Sequence, residues 1–271
     1  MEYITLLGAK VPVLGFGTAG IKGKQGKKAM KNALNSGYRL IDTAQSYNNE
    51  DIVGSAVSEV NVDREDLFIT TKIRGRNLSY DDVIDSFDES LRKLKMDYVD
   101  LLLIHWPNEN VPLKETLNAM NKLKEEGRIK HIGVSNFTVP LMDKARKVSK
   151  ASILCNQVEY HPFLSQEKIL TYCQMHSLLL TAYSPLARGK VGANETLKKL
   201  GKKYGKTPFQ VTLRWHIQQE NVMAIPRSSS PRHQEENIDV FDFSLSSEDM
   251  QTISNLERGE RLIDPKSAPW R

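Results

Sequence analysis

The sequence contains little cysteine, no long apolar run and no strong excess of charge of either sign. Only two of its 271 residues are cysteines, Cys155 and Cys173, and their spacing is not that of a metal site or a redox pair. A disulfide scaffold is therefore excluded. We expect both thiols to be small core residues in a reducing compartment.

The apolar runs are too short to cross a membrane. The longest, such as 101–104 and 178–180, are far below the roughly 20 residues that a transmembrane helix needs. The opening residues, Met1-Glu2-Tyr3, also lack the basic segment and apolar run of a secretory signal. The sequence therefore predicts a cytoplasmic protein without a membrane partner.

The formal net charge is +5, and lysines are concentrated at 22–31 and 198–206. Few aromatic residues lie among these basic residues, whereas modules that bind nucleic acids often combine the two, so no nucleic-acid partner is expected. Both lysine runs are typical of solvated helix faces. Weak steering of an anionic ligand is the alternative.

The composition, 39% hydrophobic and 26% charged, is that of a globular protein with a large core. Short β-branched runs alternate with longer amphipathic segments along the chain. The predicted strands are 13–16, 39–42, 67–72, 99–104, 131–134, 153–157, 178–183 and 222–225. The predicted helices are 26–36, 50–60, 80–94, 113–126, 139–147, 166–176 and a double one over 194–219. A β-hairpin is predicted from 4–7 and 10–13.

Eight strands that alternate with helical segments predict an α/β fold of the closed (β/α)8 type, a TIM barrel, with the N-terminal β-hairpin as a cap. No long linker or break in composition divides the chain, so residues 1–271 are predicted to form one domain.

Residues 15–20 match the Gly-x-Gly-x-x-Gly pattern of a dinucleotide-binding Rossmann fold. That fold requires a helix to begin at these glycines, whereas Gly23 and Gly26 follow and interrupt any such helix. The glycines are therefore interpreted as a loop in which the backbone passes close to a ligand.

Polar side chains stand at the carboxyl ends of seven consecutive predicted strands. They are Asp42, Lys72, His105, Ser135 with Asn136, Gln157, Tyr183 with Ser184, and Arg227 with Ser228. In a parallel barrel the carboxyl ends of the strands lie on one face, where active sites form. The sequence predicts a single site there.

Four residues are candidates for acid–base catalysis: Asp42, Tyr47, Lys72 and His105. A phenol is a weak acid at neutral pH, and a neighbouring lysine ammonium lowers its pKa because the cation favours the phenolate. The carboxylate of Asp42 would keep Lys72 charged, and His105 could hydrogen-bond a carbonyl oxygen. This pattern favours Tyr47 as a general acid.

Five segments resemble the signature motifs of the aldo-keto reductase family. They are Asp-Thr-Ala-Gln-Ser-Tyr-Asn-Asn-Glu at 42–50, Leu-Ile-His-Trp-Pro at 103–107, Gly-Val-Ser-Asn-Phe at 133–137, Asn-Gln-Val-Glu-Tyr-His-Pro at 156–162 and Tyr-Ser-Pro-Leu at 183–186. The similarity is greatest to short-loop prokaryotic members, which reduce small aldehydes, α-dicarbonyls and keto-sugars such as diketogluconate. The resemblance implies a (β/α)8 barrel that uses NADPH and no metal.

The resemblance also implies roles for the candidate catalytic residues. Tyr47 would donate the proton, Lys72 would lower the pKa of Tyr47, Asp42 would pair with Lys72, and His105 would orient the carbonyl group. Trp106, next to His105, is expected to line the substrate pocket. Many family members have a tryptophan where this chain has Ala19, and the loops after the fourth and seventh strands are short, so an open pocket is expected.

For the cofactor, the resemblance implies that Ser135, Asn136 and Gln157 hold the carboxamide of a nicotinamide ring stacked on Tyr183. Ser184 and Leu186 would follow the pyrophosphate. The residues expected to bind the cofactor are Gly17, Thr18, Asp42, Ser135, Asn136, Gln157, Tyr183, Ser184, Leu186, Arg227, Ser228, Ser229, His233, Glu236 and Asn237.

The last cofactor segment, 225–237, departs from the family pattern. Arg227 replaces a lysine and keeps a cation for the 2′-phosphate of NADPH, with Ser228 and Ser229 as hydroxyl donors. His233 stands where the family has arginine, and Arg232, one position earlier, is a candidate substitute. Glu236 and Asn237 match the family and would bind the adenine edge.

These observations predict an NADPH-dependent reductase of small carbonyl compounds. The alternative is a non-catalytic protein that binds NADP(H) as a sensor or structural subunit. The intact set of acid–base residues argues against this alternative, because binding alone does not need them. The resemblance favours a monomer.

Overall fold

The computed structural model describes residues 1–271, in which an N-terminal hairpin precedes eight alternating strands and helical segments. The strands are β1 Tyr3–Leu6, β2 Ala9–Pro12, β3 Phe16–Gly17, β4 Leu40–Asp42, β5 Phe68–Ile73, β6 Val99–Ile104, β7 Ile129–Ser135, β8 Ile153–Glu159, β9 Leu179–Tyr183 and β10 Val222–Ala224. The helices are α1 Gly23–Asn35, α2 Glu50–Val57, α3 Tyr80–Leu94, α4 Leu113–Glu125, α5 Val139–Val148, α6 Glu167–Met175, α7 Glu195–Tyr204, α8 Pro208–Ile217, α9 Pro231–Ile238 and α10 Ser247–Ser254. Short 3₁₀ segments lie at Gln45–Tyr47, Arg64–Asp66 and Ala187–Ala193.

The sheet is parallel throughout, and its strands lie in sequence order from β3 to β10. A parallel bridge between Leu14 and Ala224 joins its two edges, and the amide of Gly15 donates to the Ala224 carbonyl at 2.9 Å. A Cβ atom at Gly17 would lie 2.8 Å from the Ile225 carbonyl oxygen, so this closure requires glycine there. The predicted (β/α)8 barrel is confirmed.

The hairpin of β1 and β2 closes the amino-terminal end of the barrel, as predicted. Ala9 and Val11 of β2 are buried against the barrel interior. The barrel residues of this cluster are Leu40, Phe68, Leu101, Leu103, Leu154, Cys155, Leu179, Met223 and Ile225. Because apolar side chains fill this end, a ligand can approach only from the carboxyl ends of the strands.

The helices pack outside the sheet through apolar stripes, and several begin at side-chain caps. In α3 the Ser79 hydroxyl caps the amino terminus by accepting from the Asp82 amide at 3.3 Å. In α8 Thr207 and Gln210 form a reciprocal capping box. Trp215 of α8 is only 2% exposed and belongs to the core. No helix is both long and apolar enough to cross a bilayer.

The bounds of β6 and α3 agree with the prediction at both ends, and most other elements differ by one to three residues. The first barrel strand is a larger error: β3 lies at Phe16–Gly17 instead of 13–16, because residues 13–15 pair with β10 only through isolated bonds. Helices α9 and α10 were not predicted. The sequence of α9 contains a single strongly apolar residue, Ile238, so it shows no helical periodicity.

Helix α2 crosses the end of α3 at a very short distance. A Cβ atom at Gly54 of α2 would lie 2.2 Å from the Leu94 carbonyl oxygen of α3, and the neighbouring backbone atoms are almost as near. Any side chain at this position must therefore push the two helices apart.

We predict that Gly54→Ala lowers the free energy of unfolding by about 1–3 kcal/mol, the usual cost of overpacking. This loss would occur although alanine alone favours a helix over glycine by about 1 kcal/mol. Urea unfolding measures the difference, with Ser55→Ala in the same helix as the control. Equal stability of Gly54→Ala and the parent chain would contradict the close crossing.

Candidate active site

The carboxyl ends of the barrel strands surround a cavity of about 790 Å³. The predicted residues that line it are Gly17, Thr18, Asp42, Tyr47, His105, Trp106, Ser135, Asn136, Gln157, Tyr183, Ser184, Leu186, Arg227, Ser228, His233, Glu236 and Asn237. Lys72 lies beneath this lining and is fully buried. Ser229 does not line the cavity, which is contrary to its predicted place at the cofactor, and its side chain is exposed.

Strand alternation explains why the polar side chains point into the barrel. Side chains two residues apart lie on the same face of a strand. Phe68 packs in the barrel interior, and Lys72 lies on the same face of β5, so its side chain points inward as well. Leu103 of β6 also packs in the interior, so the side chain of His105, just after this strand, points inward too. The apolar residues fill the lower layers of the barrel, and the polar residues form its uppermost layer.

Lys72 is held by three acceptors. Its Nζ lies 2.5 Å from Asp42 Oδ1, 2.8 Å from the Thr43 carbonyl oxygen and 3.4 Å from Tyr47 Oη. The pairing of β4 with β5 brings these groups together. An ammonium group has three N–H donors, so all three are used and the buried charge is compensated.

Burial raises the pKa of Tyr47, and Asp42 adds to the increase, whereas Lys72 opposes it. The net shift is upward, so the expectation that Lys72 brings the phenol below its ordinary value is wrong for this structure. Lys72 instead limits an increase that burial causes. Burial also lowers the pKa of Lys72, but Asp42 and Tyr47 outweigh it and keep the ammonium protonated.

Arg74 fixes the turn that carries Tyr47. Its guanidinium donates to the Gln45 carbonyl oxygen and to Asn48 Oδ1, on either side of Tyr47. The Gln45 side chain accepts from the Arg74 amide at 3.0 Å and donates to the Ser86 carbonyl at 3.0 Å. The phenol is therefore held in place by bonds at both ends of its turn.

His105 faces Tyr47 across the cavity. The two rings meet edge to face, with their centroids 5.6 Å apart, and Nδ1 of His105 lies 3.2 Å from Ser46 Oγ. Burial lowers the pKa of His105 to about 3, and the nearby Lys72 and Arg74 add to the effect. The imidazole is therefore neutral at physiological pH, with one N–H to donate.

The amide side chains predicted to hold a carboxamide form a connected network. Gln157 Nε2 donates to Asp42 Oδ2 at 2.8 Å, and Ser135 Oγ donates to the Gln157 carbonyl at 2.8 Å. Asn136 Nδ2 donates to the His105 carbonyl at 3.0 Å. These bonds tie the cavity wall to the buried ion pair.

Asn136 also orients the ring of Tyr183. The Tyr183 hydroxyl donates to Asn136 Oδ1 at 2.8 Å, so this ring is fixed at the edge of the cavity. Asn136 has a φ of 62°, in the left-handed region, which asparagine tolerates better than most residues.

The other end of the cavity is basic. Arg227 is exposed and forms no salt bridge with any carboxylate of the chain, and Ser228 Oγ accepts from the Ser230 amide at 3.1 Å just before α9. Arg232 does not line the cavity; its Nη2 lies 3.2 Å from His233 Nε2. Arg232 therefore does not reach the cavity and contacts only the side chain of His233.

Several lining residues were missed: Pro185, Arg188, Gly189, Phe209, Ile225, Pro226 and Ile263. Arg188 and Gly189 have φ values of 52° and 92°, in a turn after β9 that the Arg-Gly pair could have indicated. Ile263 lies in a terminal segment without regular structure and carries no local signal.

The substrate end is less open than the short loops suggested. Trp106 lines the cavity as expected, but its ring packs against Trp270, with centroids 5.6 Å apart. The carboxyl-terminal segment therefore supplies a wall that the sequence did not predict.

Comparison with known proteins agrees with this geometry. The model of the aldo/keto reductase family matches residues 13–258. Glyoxal reductase of Bacillus subtilis (strain 168) is 40% identical over 256 residues, which cover 94% of this chain and 92% of that protein. Methylglyoxal reductase DkgB of Escherichia coli O157:H7 is 41% identical over 259 residues, covering 94% and 97%. The crystal structure of MGS-M4, an aldo-keto reductase from a deep-sea metagenome library of the Medee basin, is 37% identical, with a TM-score of 0.92 and coverage of 96% and 97%.

We predict that His105 remains unprotonated from pH 8 down to about pH 4, because its folded-state pKa is about 3. The stability it contributes should be present above its unfolded pKa of about 6.5 and fall as the pH decreases toward 3. An NMR titration of the imidazole, assigned with His105→Gln, measures this directly. A titration midpoint near 6.5 would contradict the burial described above.

Proposed function

The chain belongs to the aldo/keto reductase family, and on that premise we propose that it reduces small aldehydes, ketones or keto-sugars to alcohols, with NADPH as hydride donor and Tyr47 as proton donor. The observation that carries the proposal is the contact of the buried Lys72–Asp42 pair with a phenol that faces a large cavity. Relatives named as reductases of glyoxal and methylglyoxal support small carbonyl substrates.

The cavity has the size and the donor set that a dinucleotide requires. Ligand sites have volumes of about 300–1,000 Å³, and this one falls within that range. Amide and hydroxyl groups lie at one end, where Ser135 and Gln157 would hold a carboxamide beside the ring of Tyr183. The guanidinium of Arg227 lies at the other end, where it and the imidazole of His233 would face phosphate. When bound, NADPH would supply the hydride that reduces the carbonyl carbon.

The chain's own residues would then control the proton. His105, neutral and hydrogen-bonding, would hold the carbonyl oxygen near Tyr47 Oη. As negative charge develops on that oxygen, the proton of Tyr47 would transfer to it and complete the alcohol. Lys72 would stabilise the resulting phenolate, and Asp42 would keep Lys72 charged. The phenol would be reprotonated before the next turnover.

The proposal is tested by mixing the protein with NADPH and glyoxal, methylglyoxal or diketogluconate and following the absorbance of NADPH. A substrate-dependent decrease supports it. Binding of NADPH without turnover of any carbonyl compound in a broad panel would overturn it in favour of the non-catalytic sensor or structural subunit.

We also propose that residues 1–271 form one domain and that the protein acts as a cytoplasmic monomer without metal. A single sheet that extends from β3 to β10 supports the single domain. The chain contains no group of three or more His, Cys, Asp or Glu side chains that could hold a metal ion. Sedimentation velocity measures the oligomeric state.

We predict that Tyr47→Phe lowers kcat by about 10²–10⁴-fold, the usual contribution of a general acid, while leaving the Kd for NADPH unchanged. The matched control is Tyr160→Phe, because Tyr160 is also buried and hydrogen-bonded, to Gln219 at 2.7 Å, but does not line the cavity. Steady-state kinetics should show little change in the control. Near-normal kcat in Tyr47→Phe would exclude Tyr47 as the proton donor.

We predict that Arg227→Ala weakens NADPH binding by roughly 10–150-fold, the value of a hydrogen bond to a charged group, and leaves NADH binding nearly unchanged. The basis is the free guanidinium of Arg227 at the basic end. Arg232→Ala is the control, with an expected change below about threefold because Arg232 does not reach the cavity. Fluorescence titration gives both Kd values, and equal losses for the two cofactors would refute the assignment.

A further inference from the structure

Glu159, the last residue of β8, is a buried carboxylate that the proposed reaction does not use. Its side chain is fully inaccessible to solvent. Oε1 accepts from the Leu262 amide at 2.8 Å, and Oε2 accepts from the Ile263 amide at 2.9 Å. The carboxylate thus holds two consecutive backbone amides of a segment more than one hundred residues away.

A third donor completes this arrangement. The Phe163 amide donates to His161 Nδ1 at 3.3 Å, so the proton of a neutral His161 lies on Nε2. Nε2 then donates to Glu159 Oε1, at 3.1 Å. A buried carboxylate is costly unless its oxygens accept several hydrogen bonds, and two of these three come from the carboxyl-terminal segment.

The bonds from the Leu262 and Ile263 amides to the Glu159 carboxylate are called the clamp below. The segment that they hold forms part of the cavity wall. Ile263 lines the cavity, and the residues that follow it lead to Trp270, which packs on Trp106. The segment around 262–263 has no helix or strand of its own. Its position therefore depends on bonds to the barrel, which are the two bonds to the Glu159 carboxylate and the bond of the nearby Glu260 amide to the Phe163 carbonyl at 2.9 Å.

A second, weaker connection reaches the same segment from the loop after β9. Lys190 pairs with Glu260, but both side chains are accessible to solvent, at 52% and 22%. Exposed ion pairs contribute little, because water screens them and both side chains lose freedom. The exposed pair therefore cannot replace the buried clamp.

We propose that Glu159 is a positioning residue whose carboxylate fixes Leu262 and Ile263 and thereby holds the wall against which a small carbonyl substrate binds. This inference rests on the proposed function for the identity of the substrate. A wall held in this way contacts the part of the substrate remote from the reacting carbonyl. Its loss should affect substrate binding more than the chemical step.

The test is Glu159→Gln, which preserves size but replaces one acceptor oxygen with an NH₂ group that would face a backbone N–H. We expect the amides of 262 and 263 to lose protection from hydrogen exchange. We also expect KM for methylglyoxal to rise roughly tenfold, the equivalent of one weak charged hydrogen bond, with kcat within about twofold and the Kd for NADPH unchanged.

Lys190→Ala is the matched control, because it removes a charged contact to the same segment at the surface. It should leave both amides protected and KM unchanged. A second variant, a chain that ends at Arg261, removes the wall while Glu159 stays intact. It should reproduce the increase in KM, which keeps the test valid if Glu159→Gln does not fold.

Two results would overturn the inference. Unchanged protection at 262 and 263 in Glu159→Gln would show that the carboxylate does not hold the segment. Lost protection in Glu159→Gln, together with an unchanged KM both in that variant and in the chain that ends at Arg261, would show that the segment does not set substrate binding. Failure of the parent chain to reduce any carbonyl compound would overturn the proposed function instead, and hydrogen exchange would still report on the clamp.

Discussion

The buried ion pair between Lys72 and Asp42 is the constraint on which the rest of the site depends. Removing two charges from water costs several kcal/mol for each ion, and the geometry must be good to offset that cost. Here every N–H of Lys72 has an acceptor, and the second oxygen of Asp42 accepts from Gln157. A shift of one residue between β4 and β5 would turn Lys72 out of the barrel. The register of the sheet and the chemistry of Tyr47 are therefore set together.

Two different kinds of support surround this pair. At the end of the cavity proposed to hold the cofactor, side chains on strand termini bond to one another, so the wall formed by Asn136 and Tyr183 is held in place without a ligand. At the end proposed to hold the substrate, the wall is a terminal segment held through Glu159. Rigid placement near the reacting groups favours catalysis, because misplacement of even about 1 Å reduces the rate.

The sequence predicted those features of the fold and the site that depend on patterns of neighbouring residues. Asp42, Lys72 and His105 lie at the carboxyl ends of strands that short β-branched runs predict, so their convergence could be derived from the barrel alone. The hairpin cap could also be predicted from the sequence. The contact between Glu159 and Ile263 joins residues 104 positions apart and leaves no periodic signal, so no local sequence pattern could predict it. The direction of the pKa shift at Tyr47 was also missed, because it depends on how deeply the folded barrel buries the phenol.

The central claim is that Lys72 controls the ionisation of Tyr47 within the barrel. The pH dependence of kcat for carbonyl reduction tests it most directly, compared between the parent chain and Lys72→Met combined with Asp42→Asn, which avoids an unpaired buried charge. Without the ammonium, the pKa of the phenol should rise further. The alkaline limit of the rate should therefore move to higher pH, and kcat should fall by about 10²–10⁴-fold. An unchanged alkaline limit with near-normal kcat would contradict the account.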